Sequence, residues 1–450
     1  MASTYLTRTP SSTGNRKIFT ISAWIKRGKT GNNQKVITAG NSGTEGGLQF
    51  SGGSGDNRLK FYEYTGSEVI GIAPNRMLRD TSAWYHVVIA VDTTQATASN
   101  RVKYYLNGVQ ETSFATATYP SQNYDTLFNN SGTANTIGFL IGHSAYFDGL
   151  MSHVHFIDGT AYDASAFGST DSVTGEWKIN TSPSVTYGTN GFFVLKDGNS
   201  VTDQSGQGNN FTVGGGTLTK SEDNPSNVFA TLSPNILPRN SGGTISNGNL
   251  FFGTSAAQWT TESSAFGIAN GKYYFEVKLK DNGSDRRFRW GLQKNAEITK
   301  TGNNKVIGGT DNNAIGYKTE GEGATQGGYF INQTSTNLTD GDINENNAIY
   351  GYAIDLDNQR MYGHFNGTWL HSGNPSAGSG GIDVSSFYTV GEPLFPSFTT
   401  HNSNIEINFG NGYFGTTAVS SAGANASGNG IFEYDCPNGY TALSTKGLNL

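Results

Sequence analysis

Residues 17–28, KIFTISAWIKRG, alternate along their length. Phe19, Ile21, Ala23 and Ile25 fall on one side of an extended chain, and Thr20, Ser22 and Trp24 on the other. A period of two is the signature of a β-strand with a buried face, and a helix does not satisfy it. RLKFYEY (58–64) and WYHVVIAVD (84–92) are strand-like in the same way. In VKYYLNGVQET, Asn107-Gly108 sits between apolar runs, the strongest short-range hairpin signal. No stretch carries a long 3.6-residue period bounded by caps. The 61 glycines in 450 residues are roughly twice the usual share, and with Asn and Ser they supply turns. The expectation is an all-β chain of two antiparallel β-sandwiches in tandem.

Charge and cysteine use narrow the function classes. The net charge of −6 offers no basic field for nucleic acid or an anionic membrane. A single cysteine, Cys436, rules out an intrachain disulfide framework and any cysteine-based zinc site. No apolar run reaches membrane-spanning length, and the opening MASTYLTRTPSSTG has no apolar core of signal-peptide length. The N-x-S/T sequons at Asn332 and Asn337 therefore read as a by-product of composition.

One shift in composition marks a boundary. Residues 214–243 are rich in Gly, Pro and Ser and poor in alternation, which predicts a connector. Strand patterns resume at GKYYFEVKL (271–279). The expected organisation is a first domain over 1–213, a connector over 214–243, and a second domain with a C-terminal extension over 244–450. SAGANASGNG near the end reads as a loop.

The first half resembles the LamG-like jelly roll of the concanavalin A-like lectin and glucanase superfamily. The resemblance rests on FTISAWIKR, WYHVVIAVD, VKYYLNGVQ around Asn107 and Gly108, and IGHSAYFDGLMSHVHFIDGTAYD. DQSGQGNNFTV, from Asp203, resembles that family's D-x-S-G-x-x-N turn. The second half resembles a SPRY domain across about 253–412, through GKYYFEVKL, RFRWGLQ (287–293), AIGYK (314–318), NNAIYGYAIDLDNQRMYGHFNGTW (346–369) and EPLFPSFTTHNSNIEINFG (392–410). The resemblance implies partner binding through loops at one end of a bent sandwich, without catalytic residues.

IGHSAYFDGLMSHVHFIDG (141–159) packs three of the seven histidines, His143, His153 and His155, beside Asp148 and Asp158. Alternation puts Val154 and Phe156 on one strand face and His153 and His155 on the other. Two histidines at i and i+2 are weak metal candidates because further ligands are not evident, so they read as a solvated strand face. Ser152 stands where the resembled family often has an acid. DGDINEN (340–346) sets Asp340, Asp342 and Asn344 at alternate positions, as in a calcium loop. Glu345 replaces the glycine such a loop needs, so a polar loop is preferred over a calcium site. No cofactor is expected. RRFRW (286–290) alternates Arg287 and Arg289 with Phe288 and Trp290 and reads as a solvated strand face.

Catalytic patterns are sparse. The E-x-D-x-E arrangements of jelly-roll glucanases place an acid and a nucleophile on one face. IEIN offers Glu406 but Asn408 where the second acid is needed. Asp355 and Asp357 share a strand face but flank a turn in the SPRY resemblance. There is no G-x-S-x-G, P-loop or H-E-x-x-H. The chain is therefore expected not to be an enzyme.

The tandem of sandwiches resembles virion structural proteins of marine tailed bacteriophages, of the tail-fibre or capsid-associated kind. That resemblance implies a particle-surface location, other virion proteins as partners, homo-oligomers, and recognition of a host-cell surface polysaccharide. The alternatives are a capsid decoration or architectural tail protein without a ligand, and a polysaccharide depolymerase. Loops with aromatic and amide side chains are the expected recognition residues: Tyr146 and Asp148 in HSAYFDG, and Asn366, Trp369 and His371 in HFNGTWLHSGN, with packing of Trp369 against its own hairpin as the alternative.

Overall fold

The computed structural model describes residues 3–51, 56–196, 200–234, 243–254, 259–280, 287–295, 306–309, 313–319 and 327–449. Among these, regular structure is β-strand with short 3-10 turns. The chain is all-β, as its alternation requires. It divides into two compact units: residues 1–220 with 224–226, and residues 221–223 with 227–450.

The first unit is a sandwich of an eight-stranded and a six-stranded sheet. The strand Ile18–Arg27 lies central in the six-stranded sheet, paired antiparallel with Trp84–Asp92 on one side and Gly149–Asp158 on the other. Its Phe19, Ile21, Ala23 and Ile25 enter the core between the sheets, where they meet Leu48, Phe50, Phe61, Ile70 and Ile72 from the eight-stranded sheet. The core is therefore assembled from one face of each strand, as period-two patterning demands. Asp203 of the D-x-S-G-x-x-N turn is a structural clasp. Its carboxylate accepts the N–H groups of Phe193 (2.8 Å), Ser205 (2.9 Å) and Asn209 (2.9 Å).

The second unit is also a sandwich. A nine-stranded sheet, which includes Lys272–Lys280, Ile349–Asp355 and Arg360–Phe365, packs on a six-stranded sheet containing Arg287–Lys294 and Leu394–His401. Trp290, Tyr317, Tyr350, Tyr352, Phe275 and Phe398 fill the core between them. Strands of the two sheets pair antiparallel except that Tyr273 and Tyr274 pair in parallel with Thr441 and Ala442 of the C-terminal extension, and isolated parallel bridges join Asn411 to Ile431 and Asn425 to Cys436 among the described residues. Part of the segment expected to be a connector is core: Phe229, Ala230 and Leu232 are buried in this unit, and residues 235–242 lie outside the described residues.

Both units use the same hairpin. Asn107 and Gly108 take φ of 47° and 80°, and Asn366 and Gly367 take 47° and 83°, the left-handed pair that a two-residue I′ turn requires. In each, the asparagine Oδ1 also accepts a strand N–H, from His86 at 2.8 Å and from Ile349 at 2.9 Å. The residue type is fixed by backbone geometry and by that bond together.

Candidate functional site

In the first unit, Leu48, Phe50, Leu59 and Phe61 point to the core, so the alternate residues of the same strands point outward. That outward face carries Lys35, Glu45, Gln49, Lys60, Tyr62 and Tyr64. Register brings them together: Lys35 lies opposite Gln49, Gln49 opposite Lys60, and Glu45 opposite Tyr64. Gly47 lies between Glu45 and Gln49 on this face. A Cβ there would stand 2.0 Å from the Ile37 carbonyl oxygen, so the position admits no side chain.

A closed polar cluster forms in the middle of this face. Lys35 Nζ donates to Glu45 Oε1 (3.1 Å), Gln49 Oε1 (2.5 Å) and Tyr62 OH (2.6 Å). Tyr62 OH donates to the same Glu45 oxygen at 2.9 Å. Lys35 is 2% exposed, Tyr62 3% and Glu45 8%. His143, from the loop that includes Tyr146, brings Nε2 to 3.3 Å from the other Glu45 oxygen. Burial lowers the Lys35 pKa, opposed by the Glu45 charge. Burial alone would raise that of Glu45, but the Lys35 charge, the hydrogen bonds from Lys35 and Tyr62, and His143 bring it below its ordinary value. Toward the sheet edge the face opens. Lys60 pairs with Glu68, and Tyr64 is 40% exposed.

Tyr146 is half-buried and stacks on Phe139, with centroids 4.5 Å apart and planes at 14°. Asp148 closes the loop: its carbonyl accepts Gly28 N–H at 2.8 Å, and burial raises its carboxyl pKa against the pull of Lys29. Both belong to the loop that brings His143 to the polar cluster.

His153 and His155 correct the expectation of a solvated strand face, since they are 8% and 2% exposed. The outward face of the six-stranded sheet is covered by a second apolar layer containing Phe167, Tyr187, Phe193 and Trp177. His155 Nδ1 lies 2.9 Å from Tyr187 OH, and its ring stacks on Phe193 at 3.9 Å. His153 sits at a register shift with φ of 49°, and its N–H donates to Leu195. His86 lies under the same layer. Its Nδ1 accepts the Trp177 indole N–H at 3.0 Å, so in the neutral ring Nε2 carries the proton and donates to Ser22 Oγ at 2.9 Å. A serine nucleophile needs the reverse arrangement, with the histidine as acceptor, so Ser22 and His86 are a structural pair. Burial pulls His86 down to about 3 and His155 well below its ordinary value.

In the second unit, Asp340 Oδ2 accepts His371 N–H at 3.1 Å, and Asp342 Oδ1 accepts Asn344 N–H at 2.8 Å. No cluster of three or more His, Cys, Asp or Glu among the described residues has metal-binding geometry. Asn366 is the turn residue described above. Trp369 is half-buried, its ring edge-on to His364 at 5.1 Å and 6.4 Å from Tyr274. His371 is exposed beside Tyr329. Asp355 pairs with Lys272 at 2.9 Å and Asp357 accepts Gly271 N–H, so both serve the turn. Arg287 and Arg289 each lie over the Trp259 ring, at 5.4 and 5.2 Å, and Arg286 lies outside the described residues.

Sequence reasoning missed Glu276. Its buried carboxylate accepts the N–H groups of Glu433 (2.9 Å) and Tyr434 (2.8 Å) and the hydroxyl of Tyr274 (3.0 Å), anchoring the C-terminal extension. It stands on the polar side of its strand, with Lys272 and Lys278, so nothing in the sequence marks it as buried.

Residues 2–167 match the family model described as the Concanavalin A-like lectin/glucanases superfamily. No curated protein matches the chain. Similar solved structures include the SPRY domain of human HERC1 (10% identity, TM-score 0.29, covering 39% of this chain and 96% of that one). The TRIM65 PSpry domain is similar at 12% identity and TM-score 0.30, covering 40% of this chain and 91% of that one. A heptameric SAP-like pentraxin from Limulus polyphemus is similar at 14% identity and TM-score 0.29, covering 48% of this chain and 91% of that one. The chain is an all-β protein, and its residues 2–167 are similar to the concanavalin A-like lectin/glucanases superfamily.

Proposed function

We propose that this chain is a non-enzymatic tailed-bacteriophage virion protein whose first sandwich binds a host-surface glycan. The observation that carries the reading is the outward face of the eight-stranded sheet. It joins an exposed Tyr64 to Gln49, Lys60 and Glu68, beside the loop of His143, Tyr146 and Asp148. Aromatic rings with neighbouring amide and charged groups are the chemistry that holds sugars. The superfamily match over residues 2–167 supports the same reading.

Glu45 and Glu68 on this face argue against hydrolysis, although burial raises the carboxyl pKa of Asp148 in the adjoining loop. A glycosidase needs a general acid with a raised pKa and a partner carboxylate close by. Glu45 is shifted the opposite way and is held by Lys35, while Glu68 is paired with Lys60. The particle role rests on the arrangement of two sandwiches rich in Gly, Asn, Ser and Thr. An antibody to this chain, applied to purified virions in negative stain, tests it. Labelled tails or capsids support the reading, and unlabelled particles overturn it. Labelled particles that fail to hold host polysaccharide through this chain would identify a decoration or architectural protein instead.

A further inference from the structure

We infer that the cluster of buried Lys35 and Glu45 with half-buried Gln49 is an autocatalytic modification site that forms an isopeptide bond between the Lys35 amine and the Gln49 side-chain carbonyl. Three observations bring the reacting groups together. Lys35 and Gln49 are directly opposed on neighbouring antiparallel strands. Lys35 Nζ lies 2.5 Å from Gln49 Oε1. With a carbonyl bond of about 1.23 Å, Gln49 Cδ can be no farther than about 3.7 Å from Nζ, close to the 3–3.5 Å of a near-attack pair. The third observation is the acid beside them: Glu45 Oε1 is 3.1 Å from the same Nζ.

Burial favours the reactive form of the amine. Lys35 is 2% exposed, and its burial disfavours the ammonium form. Tyr62 holds both Nζ and Glu45, at 2.6 and 2.9 Å, and fixes the amine at the carboxylate. Gly47 leaves the space between Glu45 and Gln49 clear of a side chain.

The chemistry closes without a co-reactant. The Lys35 ammonium gives a proton to Glu45, and the freed lone pair attacks Gln49 Cδ. The Cδ–Nε2 bond of the tetrahedral intermediate then breaks. Glu45 passes its proton to the departing nitrogen, and the new amide nitrogen gives up its second surplus proton with it. Ammonium leaves, Glu45 returns to carboxylate, and nothing is oxidised or reduced. The product is a covalent tie between two adjacent strands of the eight-stranded sheet, within the proposed glycan-binding face, a placement that rests on the proposed function.

Intact-mass spectrometry of the purified full chain tests this directly. The wild type is expected to weigh less than its sequence by one ammonia. Proteolytic mapping is expected to find a branched peptide joining Lys35 to Gln49. Glu45→Gln is expected to show the full sequence mass. Because that variant leaves Lys35 without its counter-ion and can fail to fold, Gln49→Leu serves as the second variant, removing the electrophile while keeping the size of the side chain. It too is expected to have the full mass. Wild-type protein that keeps the full sequence mass after prolonged incubation while folded overturns the inference. So does an ammonia deficit that maps to an Asn-Gly succinimide, or one that survives in Gln49→Leu.

Discussion

The indole N–H of Trp177 donates to Nδ1 of His86 at 3.0 Å, across 91 positions of sequence. This bond fixes the His86 tautomer and hands its other N–H to Ser22. With Trp24 stacked on the same ring at 4.8 Å, it holds His86 neutral in a dry layer.

Acid should therefore destabilise the first unit. His86 titrates near 3 in the folded protein and His155 well below its usual value, against about 6.5 unfolded. Between those values the unfolded chain binds more protons, so stability is complete above about pH 6.5 and declines as pH falls below it. Each group contributes up to about 1.4 kcal/mol per pH unit in that window. Thermal melts from pH 7.5 to 4.5 should show the decline, and His86→Gln should make it shallower. Equal slopes in the two proteins would show that His86 does not titrate on unfolding.

Glu276 predicts the opposite sign for the second unit. Burial raises its carboxyl to about 7, although the Glu433 and Tyr434 amides, Tyr274 and Asn408 pull the other way. A carboxyl raised above its unfolded value favours the fold below about pH 4.5, and that contribution is lost as pH rises towards 7. Hydrogen-exchange protection of the Glu433 and Tyr434 amides should report it. Glu276→Gln should remove the pH dependence and weaken protection there, because the amide offers one acceptor oxygen where the carboxylate offers two.

Trp369 and Tyr146 should respond differently to truncation. Trp369 packs against His364 and Tyr274 in the layer under the C-terminal extension, so Trp369→Ala should cost about 1–3 kcal/mol, below the range for a fully buried tryptophan. Tyr146 stacks on Phe139 in the loop beside the proposed glycan face. Tyr146→Ala should weaken glycan retention several-fold, with a stability loss of about 1 kcal/mol or less. Denaturant melts and retention assays on both variants separate the two roles.

Metal removal should be silent. Asp340 and Asp342 accept backbone N–H groups, and His153 and His155 are enclosed by aromatic rings. Melts with and without a chelator should coincide. A drop of about 5 °C or more, on the order of 1–2 kcal/mol, would reveal a structural ion.

The strands were readable because their faces are unequal. Phe19 to Ile25 alternate as they must, and Asn107-Gly108 and Asn366-Gly367 form the hairpins their residue types demand. His153 and His155 were misread for a physical reason. Alternation shows which side of a strand a residue takes, but not whether a further layer covers that side. Here the cover comes from Phe167, Trp177 and Tyr187, remote in sequence, and the shift at His153 breaks the alternation itself. The Lys35, Glu45 and Gln49 cluster depends on register between strands, which no single strand displays.

The central claim is glycan binding without turnover, and the most direct measurement is incubation of the purified chain with host capsular or lipopolysaccharide glycan. Both retention of the protein and release of new reducing ends would be followed. The account predicts saturable retention, weakened by Tyr64→Ala, with no reducing ends released. Released oligosaccharide, or no retention at all, would contradict it.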